Sequence, residues 1–260
     1  MLGNTLRALC LVTMTFFLAA CSQFVGDNRH NVPLGKPVLD RLAEIGSSPS
    51  EPMVIRVYKQ SSELEVWKRT HTGDYALFKT YPICKWSGDL GPKIREGDLQ
   101  SPEGFYDVTP ALMNPKSSYW LSFNVGFPNK FDQAWGRTGT YLMIHGDCLS
   151  VGCYAMTDEG IKEIYALARE TFRGGNSSFQ LQLLPFRMTE ANLSQHADSP
   201  HAPFWRDLKV GTDLFDATRR PPAWDVCERR YAFSPNGSSP GPLDPNGVCP
   251  AGVYSTMAAL

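Results

Sequence analysis

Tyr141-Leu142-Met143-Ile144-His145-Gly146-Asp147-Cys148-Leu149-Ser150-Val151-Gly152-Cys153-Tyr154-Ala155-Met156 is the stretch on which the reading of this chain turns. Tyr141 to Ile144 is strand-like and ends in a histidine, and a short loop then returns a Gly-Cys pair eight residues after it. A thiol needs a base nearby to become a thiolate at neutral pH, and imidazole is the side chain whose pKa suits that task. Glycine just before the cysteine lets the backbone turn tightly, so that consecutive N–H groups can face a developing oxyanion. One short segment thus offers a nucleophile, Cys153, and a base, His145. The competing readings are a buried structural thiol, a core histidine satisfied by backbone, and a metal site built from His145, Cys148 and Cys153. The last is disfavoured, because no paired Cys-x-x-Cys and no fourth ligand accompany these residues. Asp147 could orient the imidazole, although a solvated loop carboxylate is the simpler reading.

Around this segment the pattern is that of a β-rich α+β chain. Met53 to Tyr58 and Leu64 to Trp67 are β-prone runs joined by Lys59 to Glu63, which reads as a hairpin. Tyr75 to Ile83, Phe105 to Val108, Tyr119 to Val125 and Gly139 to His145 supply further strands, with a Gly- and charge-rich loop over 86–97. A helix starts at Thr157, an N-cap followed by Asp158 and Glu159 at the positive end of the dipole. Ile161, Ile164, Tyr165 and Leu167 form its apolar stripe, and Arg173-Gly174-Gly175 stops it. Phe179 to Leu184 is a strand, and residues 189–218 read as two more helices with Thr189 as a cap. The aromatic residues Phe78, Tyr81, Trp86, Phe105, Tyr119 and Trp120 suit core and cleft walls better than a cofactor site.

The ends differ in character. Residues 1–20 read as an export signal, with Arg7 before a mostly apolar stretch from Ala8 to Ala20 that is short for a membrane span. Its end, Leu18-Ala19-Ala20-Cys21, resembles the lipobox of bacterial lipoproteins, which implies a lipid on Cys21, and Ser22 resembles those sent to the outer membrane. Residues 21–50 read as a tether with one short helix near Val38 to Ile45. From about Arg220 Pro, Gly, Ser and Asn dominate, and residues 223–260 are expected to be a poorly ordered tail apart from any disulfide.

Composition and cysteine arithmetic narrow the class. The formal net charge of −1 gives no reason to expect nucleic acid or an electrostatic grip on a membrane, so membrane contact would run through a lipid anchor. Cys84, Cys148, Cys153, Cys227 and Cys249 remain once Cys10 and Cys21 are set aside, an odd number in an oxidising compartment. Two disulfides with Cys153 free satisfy that count. Cys227 with Cys249 is the favoured pair, since both lie in the loop-rich C-terminal region. Cys84 with Cys148 is the other, with both reduced as its alternative, because separation in space cannot be read from sequence.

The strand-His-loop-Gly-Cys arrangement, preceded by Ser101-Pro102-Glu103-Gly104-Phe105-Tyr106, resembles the YkuD-type L,D-transpeptidases of bacterial envelopes, and most closely their YafK-like branch. Ile83-Cys84-Lys85, the loop from Ser87-Gly88 to Gly91-Pro92-Lys93, Gly126-Phe127-Pro128-Asn129 and Pro185 to Thr189 have counterparts in the same order, so the likeness runs over roughly residues 52–222. It implies the family's catalytic fold over 51–188, with a helical extension over 189–222. It also implies an envelope cysteine acyltransferase without cofactor or metal, acting on the diaminopimelate residue of peptidoglycan stem peptides and expelling terminal D-alanine. By position Cys153 is the nucleophile, His145 the base, and the backbone N–H groups of Gly152 and Cys153 the oxyanion donors. Two departures from the commoner motif matter: Val151 stands where a histidine precedes the Gly-Cys, and Ala155 where an arginine follows it. The YafK-like branch shares both. The lost arginine is an anchor for a substrate carboxylate for which Lys85, Lys93 or Arg95 could substitute by charge, and Ser150 is a further substrate-binding candidate. The alternatives are a hydrolase using the same thiol, for instance where a wall-attached lipoprotein joins diaminopimelate through a lysine, and a non-catalytic wall-binding lipoprotein.

Overall fold

The computed structural model describes residues 27–234 and 241–253. The export signal and the lipobox with Cys21 lie outside the described residues. The chain forms helix α1 (Lys36–Glu44), then strands β1 (Met53–Tyr58), β2 (Glu63–Arg69), β3 (Tyr75–Lys85), β4 (Gly104–Val108), β5 (Met113–Asn114) and β6 (Ser122–Asn124). Helix α2 (Lys130–Ala134), strands β7 (Met143–His145) and β8 (Tyr154–Met156), helix α3 (Asp158–Arg173) and strand β9 (Phe179–Leu184) follow. Helices α4 (Glu190–Gln195) and α5 (Ala202–Thr218) precede a separate hairpin, β10 (Ala223–Cys227) and β11 (Arg230–Ser234).

Nine strands join in the order β4-β9-β1-β2-β3-β8-β7-β6-β5. The eleven-residue β3 makes this possible: its first part pairs with β2, and its end pairs with β8 through Ile83 and Lys85. Strand β1 is buried on both sides, and its two-residue period sorts it cleanly. Met53, Ile55 and Val57 enter the main core with Ile161, Ile164 and Leu167 of α3. On the other side Tyr58 joins a second core with Trp205 and Leu208 of α5, and buried Arg56 reaches Asp216 at 2.7 Å. Strand β9 divides likewise, Phe179, Leu181 and Leu183 facing the main core and Leu184 the second.

Two expectations for the ends are corrected. Residues 27–50 are docked rather than a tether: Leu42 is buried in the main core, Arg41 donates to the carbonyls of Leu77 and Phe78, and Arg169 donates to those of His30 and Val32. The tail is ordered over 223–234, where Val226, Tyr231 and Phe233 fill the second core and the Tyr231 hydroxyl accepts from Phe105 N–H and Asn129 Nδ2. Apolar residues are few after Arg220, but they concentrate in two short alternating runs, and that is enough for a hairpin with one buried face. The strands read over 119–125 and 139–145 are shorter than expected, because Trp120 and Tyr141 take positive φ (64° and 55°) and break the extended run.

Candidate active site

Strands β7 and β8 run parallel, with Ile144 opposite Tyr154 and His145 opposite Ala155. Alternation along each strand puts Met143 and His145 on one face together with Ala155 and the Cys153 that precedes β8. The backbone confirms that placement, since Met143 N–H donates to Cys153 Sγ at 3.4 Å. The next strand extends the row: Lys85 of β3 is the register partner of Ala155, so His145, Ala155 and Lys85 lie side by side across three strands. Lys85 is exposed, whereas Ala155 is fully buried.

His145 is buried, packs at a 38° tilt against the Tyr119 ring 4.9 Å away, and shares a 2.6 Å hydrogen bond between Nδ1 and the carbonyl of Gly146. A carbonyl can only accept, so Nδ1 carries the proton and Nε2 the lone pair. Gly146 has no room for a side chain, as a Cβ would lie 2.5 Å from Asp158 Oδ1. Asp147 is exposed, and it is the Gly146 carbonyl that orients the imidazole. Burial lowers the His145 pKa, against the Gly146 bond and the Asp147 charge, and so favours the neutral ring.

Cys153 is half-buried and is the free cysteine among the described residues; Cys84–Cys148 and Cys227–Cys249 are disulfides. Its thiol donates to the carbonyl of Tyr141 at 3.6 Å, and no hydrogen bond joins it to the imidazole. Burial pushes its pKa up, against the Met143 N–H and the Lys93 charge, which pull it down. Burial thus favours the neutral forms of both the thiol and the imidazole over the preformed thiolate that a histidine partner alone suggests. Gly152, at φ +95°, occupies a backbone region that favours glycine.

The loop from Ser87 to Ser101 is latched onto this segment. Gly152 N–H donates to Ser87 Oγ, Ser87 N–H donates to Ser101 Oγ at 3.1 Å, and Ser101 Oγ donates to Cys153 O at 2.8 Å. Ser150 Oγ also donates to Cys153 O, at 2.6 Å, so this buried serine braces the backbone instead of facing a ligand. The buried Lys59–Glu103 pair (3.0 Å) pins the same loop, Glu103 accepting Gly91 N–H and Lys59 donating to Gly91 O. Lys93 is buried and ion-paired with Asp98 at 2.5 Å, which occupies it as an anchor, while Arg95 is exposed. Sequence reasoning quoted Ser87 and Ser101 within motifs but gave them no part; their signal was a serine opening each motif. Among the described residues no cluster of three or more His, Cys, Asp or Glu is placed to hold a metal ion, and no helix is long and apolar enough to cross a membrane.

No family model matches the chain. It is 41% identical over 232 residues, 88% of its own length and 91% of the relative's, to the protein named "Putative L,D-transpeptidase YafK" in Escherichia coli K12, and equally to its namesake in strain O157:H7. That span is longer than the stretch from 52 to 222 on which the motifs lie. Among solved structures, the chain is similar to the helical cell shape determining protein Pgp2 of Campylobacter jejuni (TM-score 0.42, 20% identity, 67% of this chain and 65% of that one). It is also similar to L,D-transpeptidase 1 of Mycobacterium tuberculosis (TM-score 0.26, 10% identity, 52% and 62%).

Proposed function

This chain belongs to the L,D-transpeptidase family, in its YafK-like branch, and on that premise we propose that it is an envelope cysteine acyltransferase acting on peptidoglycan stem peptides at diaminopimelate. The observation that carries the reading is the register of His145 with Ala155, which brings Cys153 and a neutral, tautomer-fixed imidazole to one face. In the first half-reaction the Cys153 thiol gives up its hydrogen bond to Tyr141 O, and its S–H proton passes to His145 Nε2 as sulfur bonds to the diaminopimelate carbonyl carbon. The tetrahedral intermediate then collapses, the C–N bond to D-alanine breaks, and the leaving amine takes the proton from Nε2. An acceptor amine attacks the thioester in the second half-reaction and returns the thiol. Lys85, next to the Ala155 that replaces the family's arginine, is the candidate to face a substrate carboxylate.

Hydrolysis by the same thiol is the second reading. Tyr141, Leu149 and Val151 are exposed apolar side chains (82%, 63% and 74%) on the two segments flanking Cys153, which suits a site that meets a protein attached at diaminopimelate. Incubation with tetrapeptide muropeptides, with and without an amine acceptor, and with lysine-linked conjugates, separates the readings by product mass. Cross-linked product supports transpeptidation, and release of the conjugate supports hydrolysis. No product from any substrate would leave a wall-binding protein. The reading includes export to the periplasm with a lipid on Cys21 anchoring the chain to the outer membrane, for which a diacylglycerol-modified mature N-terminus is the test.

A further inference from the structure

A cavity of about 550 Å³ lies apart from Cys153, which is not among its lining residues. It lies between the Pro92–Arg95 segment, α2 with its following turn, the start of α5 and the turn of the β10–β11 hairpin. Four of its lining residues are arginines (Arg137, Arg206, Arg229, Arg230), against a single lining carboxylate, Asp207. Their states differ. Arg137 is buried against Asp132 at 2.9 Å, with its guanidinium 5.0 and 5.1 Å from the rings of Phe131 and Phe204, which stack on each other. Arg229 stacks over the Trp135 ring at 4.4 Å and donates to Ala134 O, with no carboxylate partner among the described residues. Arg206 is exposed and has no partner among the described residues. Two guanidinium groups beside an open indole and a phenyl ring make a site for a ligand that carries both a carboxylate and an apolar or pyranose face.

The groove is joined to the thiol by two strips of backbone. Pro92 and Ile94 line it, while Lys93 between them turns to the other side, where a side chain at Gly139 would meet it and where its charge acts on Cys153. The second strip runs from Trp135 and Arg137 at the groove to Tyr141, whose carbonyl holds the thiol. Four residues of chain span at most about 14 Å. In an extended stem peptide the glutamate carboxylate and the sugar lie on the far side of the diaminopimelate carbonyl by two or three residues, about 7–11 Å.

We propose that this groove binds the glycan-proximal, carboxylate-bearing end of the stem peptide, with Arg206 and Arg229 receiving the glutamate α-carboxylate and Trp135 facing the muramyl sugar. The proposal rests on the peptidoglycan reading above, but its test does not use Cys153. The probe is N-acetylmuramyl-L-alanyl-D-glutamate, which lacks the reacting carbonyl, titrated calorimetrically into the full chain. Saturable binding is expected, weakened at least tenfold by Arg206→Ala, by Arg206→Ala with Arg229→Ala, and by amidation of the probe's glutamate α-carboxylate. Arg206 is exposed and unpartnered, so its variant should keep the fold even where loss of Arg229 disturbs the hairpin. Absence of binding, or a dissociation constant unchanged by Arg206→Ala and by amidation, would overturn the groove assignment. If thioester still forms on Cys153, such a failure leaves the enzymatic reading standing. Binding without thioester formation would instead support the groove and remove the acyltransferase.

Discussion

The Nδ1 of His145 lies 2.6 Å from the carbonyl oxygen of Gly146, a contact that leaves the lone pair of the neutral ring on Nε2. Burial holds this ring below its ordinary value of 6.5 and holds the Cys153 thiol above 9.0. The working form is the neutral ring, so activity is lost when falling pH protonates it. We therefore expect the acid limb of kcat/KM to have its midpoint below pH 6.5, with a plateau through neutrality. His145→Ala should lower kcat by roughly 10²–10⁴ and remove that limb. A midpoint above 6.5, or a loss under about tenfold, would require a different base.

The Cys84–Cys148 disulfide ties the end of β3 to the loop between His145 and Cys153, at a point where Asp147 and Cys148 both take positive φ. The pair Cys84→Ser with Cys148→Ser should lower stability by about 2–4 kcal/mol and activity by at least tenfold, read by thermal melting and turnover. The corresponding change at Cys227–Cys249, in the C-terminal segment, should lower melting temperature and leave turnover of the folded protein near wild type. Equal activity losses from both would mean that the first disulfide has no special hold on the site.

Ser87 Oγ accepts the Gly152 N–H, one of the two donors assigned by resemblance to the oxyanion. If a substrate oxygen displaces this hydroxyl, Ser87→Ala removes a placeholder and not a donor. Turnover should then stay within about tenfold of wild type, against the 10²–10³ that loss of an oxyanion donor costs. A fall into that larger range would assign Ser87 a direct part.

Tyr231 anchors the hairpin through a hydroxyl that accepts from both Phe105 N–H and Asn129 Nδ2. Tyr231→Phe takes this acceptor from the Phe105 N–H and leaves Asn129 Nδ2 with the Phe105 carbonyl alone, and should cost about 1–3 kcal/mol in denaturant melts. No measurable change would mean that the hairpin contributes little to the folded body.

The site's sequence signal and its structural signal overlap unevenly. Strands β1 and β9, the Thr157 cap and the pairing of His145 with a Gly-Cys were legible, because side-chain period and capping chemistry are written residue by residue. The turn of the C-terminal hairpin was not. Glu228 and Arg229 both adopt positive φ (49° and 55°), a two-residue turn usually marked by Asn-Gly, so no turn signal shows in the letters. Strand β8 is three residues long, too short to display alternation. The orienting partner of His145 is a backbone carbonyl, and the partner of Cys84 is a matter of distance in space; neither is encoded in residue type. The tail's low apolar content hid Val226, Tyr231 and Phe233, whose positions rather than number decide the packing.

The central claim is that Cys153 carries the acyl group. Intact-mass spectrometry of the full chain incubated with a disaccharide-tetrapeptide, quenched in acid and followed by peptide mapping, tests it most directly. We expect a mass increase equal to the donor less D-alanine, located on Cys153 and absent from Cys153→Ala. Release of D-alanine by a Cys153→Ala protein at the wild-type rate, or an adduct on any other residue, would contradict the account.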